Sequence, residues 1–228
     1  MDSFNLALTM LDGVSAVICF VLVWFMTKPY RYTGETQFIG LPFAFTFLGL
    51  SYVLGVTRYF EAAFNSVFGW VQLFTQSYAF AFLAVTYYFS RQRRGSNRFW
   101  LDGAFAAIIS AAVISYAFFF VAPNSDLPSF SFVDDWMRVF NILCLTYISI
   151  HTLRGYVSKP DPKTIWIPFS FLLLDFSQYS FLIWSLDASF SAFVGAHFLR
   201  LAGLLVFLIV IIQTFYASNK AFHGKESE

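Results

Sequence analysis

The chain has 228 residues, of which 58% are hydrophobic, 22% aromatic and only 12% charged. Soluble domains carry about 25% charged residues, so this composition, with a mean hydropathy of +0.65, excludes a large water-soluble core and points to a membrane protein. The net charge of +1 decides little by itself, and no basic block is interleaved with aromatics, which argues against nucleic acid as a partner.

A helix needs about 20 apolar residues to cross a hydrocarbon core of about 30 Å. Runs of that kind fall, in chain order, at about 4–26, 38–58, 67–90, 99–122, 134–155, 165–186 and 190–217. The expected fold is all-α, a single seven-transmembrane-helix bundle over 1–228, with 218–228 as a short cytoplasmic tail. The first residues, MDSFNLALTMLDG, place no basic segment before the first apolar run, so that run reads as a retained helix and not as a cleaved signal peptide. The connections are short and polar, and no soluble catalytic or output domain is expected.

Lysine and arginine orient the bundle, because cytoplasmic loops carry an excess of them. Lys28 and Arg31 follow the first run; Arg91, Arg93, Arg94 and Arg98 follow the third in RQRRGSNR; Arg154, Lys159 and Lys163 follow the fifth; Lys220 and Lys225 lie in the tail. All fall on one side if the N-terminus is outside and the C-terminus inside. The opposite side holds Arg58 and Arg138 near helix ends, against Asp2, Glu61, Asp126, Asp134, Asp135 and Asp187. The six tryptophans agree: Trp24, Trp100 and Trp166 fall at inner helix ends, and Trp70, Trp136 and Trp184 at outer ones, as interfacial rings do. The expected localisation is therefore the plasma membrane, with lipid as the surrounding partner and the basic inner loops available to a protein partner or to anionic lipid.

The second run contains LPFAFTFLGLSY and the sixth IPFSFLLLDFSQY. Aligning Pro42 with Pro168 also matches Phe43 with Phe169, Phe45 with Phe171, Leu48 with Leu174 and Ser51 with Ser177. Near the inner ends of the third and seventh runs, TYYFS and QTFYAS match at a similar offset. This pattern is that of parallel three-helix repeats joined by one helix, an arrangement some transporters use. Chance matches are common in a chain with 32 phenylalanines, so duplication and coincidence both stand at this point.

Charges at bilayer depth cost several kcal/mol and tend to face the bundle interior and pair. Asp175 lies mid-way along the sixth run and Arg200 at a similar depth on the seventh, the two runs being joined by a short loop. The expectation is an Asp175–Arg200 ion pair. Asp12, Gln72, Thr75, Gln76, Asn141, Gln178 and His197 come to the outer half of the same layer. Together they read as an outward-facing polar pocket with Asp12, Gln72, Gln76, Asn141, Asp175, Gln178, His197 and Arg200 as ligand-binding candidates. The alternative is a layer that only locks helix packing through interhelical hydrogen bonds.

Other chemistry finds little support. Cys19 and Cys144 sit inside apolar runs and read as small buried residues. His151 and His197 lie at different depths, so no haem or metal ligand set forms. No nucleophile, phosphate-loop or metalloprotease motif occurs, and an enzyme is not expected. The last run, SAFVGAHFLRLAGLLVFLIVIIQTFYAS, contains no lysine, which excludes the Schiff base that microbial rhodopsins form with retinal; no other cofactor is indicated. The topology and the HFLRLAGLLVFLIVI character of this helix resemble the seven-helix membrane sensor modules of prokaryotes, some of which are fused to a kinase. The resemblance implies a receptor-like or sensor-like protein that binds a small, partly apolar ligand. Two other classes fit the same residues: a small transporter with parallel repeats, and an accessory subunit of a larger membrane complex.

Overall fold

The computed structural model describes residues 3–33, 39–60, 65–90, 98–121, 129–158, 160 and 165–223. They form seven helices: α1 (Ser3–Thr33), α2 (Gly40–Phe60), α3 (Asn65–Ser90), α4 (Arg98–Val121), α5 (Phe130–Ser158), α6 (Trp166–Asp187) and α7 (Phe190–His223). The basic loop at 91–97, the acidic residues Asp2, Glu61 and Asp126, Lys159, Lys163 and the last residues from 224 lie outside the described residues. The expected cytoplasmic tail changes character, because α7 continues through Asn219 and Lys220 to His223.

Five of the helices are long and apolar enough to cross a membrane: the spans are Leu6–Lys28, Gly40–Thr57, Phe99–Val121, Trp166–Asp187 and Phe190–Thr214. The protein is membrane-embedded. α3 and α5 are less apolar because they carry Gln72, Thr75 and Gln76, and Asp134, Asp135, Arg138 and Asn141. Those side chains mostly turn inward: Thr75, Gln76, Asp134 and Asn141 are all buried.

Packing follows a closed circuit. α1 packs on α2, α2 on α3, α3 on α5, α5 on α6, α6 on α7, and α7 returns to α1. α4 stays outside this six-helix ring and packs on α3. Only 17% of its span is buried, so most of its apolar surface faces outward, as a lipid-facing helix requires. Polar contacts fasten it: Tyr78 Oη lies 2.6 Å from Ser115 Oγ, and Thr75 Oγ1 lies 2.8 Å from Tyr116 Oη.

The interior divides by depth. Toward the end where α1 finishes, the core is apolar and includes Leu22, Phe45, Leu48, Leu83, Phe171 and Phe207. Toward the end where α1 starts, the polar side chains gather. Five tryptophans are well exposed, consistent with ring ends near an interface. Trp70 is the exception: it is buried between Phe119, at 5.5 Å between centroids, and Phe130, at 5.1 Å. Its place near a helix end indicated an interfacial ring, but the packing of α3 against α4 and α5 encloses it.

Candidate ligand-binding cavity

A cavity of about 260 Å³ opens inside the ring near the starting end of α1. Every ring helix reaches it, through its half nearest that end. Asp12, Gln72, Gln76, His197 and Arg200 line it, as the sequence indicated. Asn141, Asp175 and Gln178 do not.

The ion pair is not the expected one. Arg200 donates through Nη2 to Oδ1 of Asp12 on α1, and both side chains are only 5% exposed. Asp175 instead accepts a hydrogen bond from Thr146 Oγ1 on α5 at 2.8 Å. Depth matched, but azimuth did not. On α6 the face toward α7 carries Ser170, Leu173 and Leu174, which approach Gly203. One further residue turns a helix by about 100°, which swings Asp175 to the α5 side, where it remains partly exposed. Arg200 faces inward, with Cζ 4.5 Å from the centre of the Tyr52 ring, a favourable cation–π placement.

Asn141 and Gln178 also belong to the α5–α6 seam. Asn141 Nδ2 donates to Gln178 Oε1 at 3.3 Å, and both residues are fully buried. This pair and Thr146–Asp175 bind one helix to its neighbour, which is the packing role.

Several cavity residues were not foreseen. Asp134 and Arg138 form an ion pair of 2.7 Å one helical turn apart on α5, and Arg138 lies over the Phe181 ring at 4.8 Å. Their four-residue spacing was a readable signal, but their closeness to a helix end suggested surface charges. Phe130, Phe181, Trp184 and Phe193 supply an aromatic wall. His197 stands between Phe193 and Phe181, at 4.6 and 5.0 Å between ring centres. Its Nδ1 lies 2.9 Å from the Phe193 carbonyl. A carbonyl only accepts, so Nδ1 carries the hydrogen, and a neutral ring then keeps Nε2 as an acceptor.

Gly55 lets α2 run close to this site. A Cβ there would lie 2.7 Å from Asp12 Oδ2 and 2.9 Å from Gln72 Nε2. Arg200 Nε and Tyr52 Oη are buried without a hydrogen-bond partner among the described residues, although native proteins rarely leave such groups unmet. The four lining charges cancel: Asp12 and Asp134 against Arg138 and Arg200.

No known protein family, curated protein or solved structure matches this chain. Among the described residues, no group of three or more histidine, cysteine or acidic side chains is placed to hold a metal ion.

Proposed function

We propose that the protein is a receptor-like membrane protein that binds a small, partly apolar molecule in this cavity. The observation that carries the reading is the composition of the wall: two ion pairs and four aromatic rings line one cavity. Such apolar pockets with a few placed polar groups are the usual form of a small-molecule site. The volume lies just below the ~300–1,000 Å³ of sites for drug-sized ligands, so the occupant is compact. Because the lining charges cancel, a neutral or zwitterionic molecule is favoured over a net ion. Arg200 and Tyr52 offer it hydrogen bonds at depth, while Phe181, Trp184 and Phe193 cover its apolar part.

The same reading takes all seven helices as spans, with the cavity opening to the outside and the lysine- and arginine-rich ends in the cytoplasm. α3 and α5 then cross as ring members whose polar residues are shielded by their neighbours. Binding would draw together Asp12, Arg138 and Arg200, which sit on three different helices, and pass that shift to the cytoplasmic ends.

Native mass spectrometry of the protein released gently from its own membrane tests this. A single chain carrying a bound small molecule is expected, and Arg138→Gln should reduce its occupancy at least tenfold. A chain that is always empty, or that occurs only with fixed partner subunits, would refute the binding reading and favour the accessory-subunit one.

A further inference from the structure

The ring carries a second regularity that ligand capture alone does not need. α2 lies between α1 and α3, and α6 lies between α5 and α7. The two helices therefore occupy equivalent places in two three-helix units. Positions that align when Pro42 is set on Pro168 also agree in burial. Phe43 and Phe169 are both exposed, and Phe45 and Phe171 are both at 0%. Leu48 and Leu174, Ser51 and Ser177, and Tyr52 and Gln178 are all buried, whereas Leu50 and Phe176, and Val53 and Tyr179, are all exposed. Both prolines sit at the third residue of their helix, where the missing N–H costs nothing. The next residue donates to the fourth one back in each case, Phe43 to Ile39 and Phe169 to Ile165.

The third helices of the two units share a hydrogen-bond pattern, although Thr86 is buried and Thr214 exposed. Thr86 of α3 returns its hydroxyl to the Phe82 carbonyl, and Thr214 of α7, 128 positions on, returns its own to Val210. At that same offset two pairs of lining residues coincide, Gly69 with His197 and Gln72 with Arg200. At the 126-residue offset of α2 and α6, Gly55 coincides with Phe181 and Asp12 with Arg138, and these also line the cavity. Positions that coincide at these offsets thus line one cavity with unlike side chains.

Below the cavity the units meet differently. Phe45 and Phe171, one from each unit, lie 5.3 and 5.2 Å from the shared ring of Phe207, and Phe171 lies 5.6 Å from Tyr87. These rings reach across the circuit from α2 to α7, from α7 to α6 and from α6 to α3. They close it about two turns, roughly 10 Å, beyond Tyr52 and Arg200. None of the contacts among them is an ion pair, so the rings can separate without breaking a salt bridge.

We propose that the six-helix ring is two copies of one three-helix unit, and that the cavity is the open half of a path between them. Rocking of the units would close the cavity and part Phe45 from Phe207 and Tyr87 from Phe171, the ring contacts that cross between them, so that the bound molecule is released on the other side. Parallel repeats with a site on their shared interface work in this way in transporters. The inference rests on the binding reading and goes beyond it: a receptor keeps the far end shut, whereas a carrier opens it.

Cys19 is a native reporter. It is at 0% exposure, two turns below Asp12 on the same face of α1, on the route from the cavity to the phenylalanine closure. With Cys144→Ser it becomes the sole thiol. In vesicles of one orientation, a membrane-impermeant methanethiosulfonate should modify Cys19 from the cavity side and also from the side where α1 ends. Phe207→Ala should speed the far-side reaction at least tenfold, and Leu174→Cys, in the Cys19→Ala Cys144→Ser background, should repeat the two-sided result. Modification from the cavity side only, or from neither side, would overturn the proposal even if Phe207→Ala does not fold. The two readings fail separately. A bound molecule with Cys19 shielded from the far side removes transport alone, whereas two-sided access with an always-empty cavity removes the ligand reading.

Discussion

Replacing Asp12 by asparagine removes one charge from the α1–α7 ion pair while keeping the side chain's shape. Both partners are about 95% covered, so little water can screen or replace the lost carboxylate. Removing one member of a buried, hydrogen-bonded pair costs about 3–5 kcal/mol. In Asp12→Asn the cost falls on Arg200, whose Nε already lacks a partner among the described residues. A chain of this length loses about 2–4 °C of midpoint per kcal/mol, so the drop should be about 6–20 °C. Thermal unfolding in mild detergent, at matched scan rates because such unfolding is often irreversible, is the assay. Arg200→Gln and the double substitution complete a cycle, and Asp12 and Arg200 should couple by more than about 1 kcal/mol. A parallel cycle of Asp175→Asn with Arg200→Gln should be additive within about 0.5 kcal/mol. Strong coupling of Arg200 to Asp175, with none to Asp12, would refute the assignment of the pair to α1 and α7.

Gly55→Ala should destabilise by about 1–3 kcal/mol through overpacking against Asp12 and Gln72, measured by the same unfolding midpoint. Gly13→Ala, where an added Cβ meets nothing within 4 Å, should be neutral or slightly stabilising. Thr146→Val deprives Asp175 of its donor and should cost about 0.6–1.7 kcal/mol, the range of interhelical hydrogen bonds in membranes; its effect should shrink in an Asp175→Asn background. Tyr78→Phe removes the link to Ser115 and should loosen α4 while leaving the ring intact, read as faster cross-linking or proteolysis at α4 with an unchanged ring midpoint.

Where a feature depended on distance along the chain, the sequence revealed it well. Apolar runs placed the helix bodies, and most boundaries agree within a few residues, because span length is set by a physical thickness. The excess at Thr33 and His223 lies beyond the apolar part, where a helix can continue into polar sequence without any hydropathy signal. Direction around a helix was far less legible. Run positions put Asp175 and Arg200 at a similar depth, yet whether a flank residue meets α5 or α7 depends on rotation and on ring order, which a single sequence does not encode locally. Asp134 and Arg138 show the converse: nearness to a helix end looks like surface, but both side chains line the cavity and are largely covered. Tyr52 gave no sign of its own, and only its register with Gln178 would have marked it as inward-facing. The cysteine reading fared better, since Cys19 is fully buried and Cys144 partly so.

The place of α4 carries a consequence for how such a chain is threaded. Three antiparallel helices end on the face opposite to the one where they began. A second unit joined directly to the first would start from that face and stand upside down relative to it. One extra crossing restores the starting face, so both units stand the same way up. If all seven helices cross and the ring is two like units, as proposed, parity is what α4 contributes more than any contact it makes: excising it while keeping the ring sequences would invert α5–α7 and move His223 to the other face, turning a rotation about the membrane normal into one about an in-plane axis.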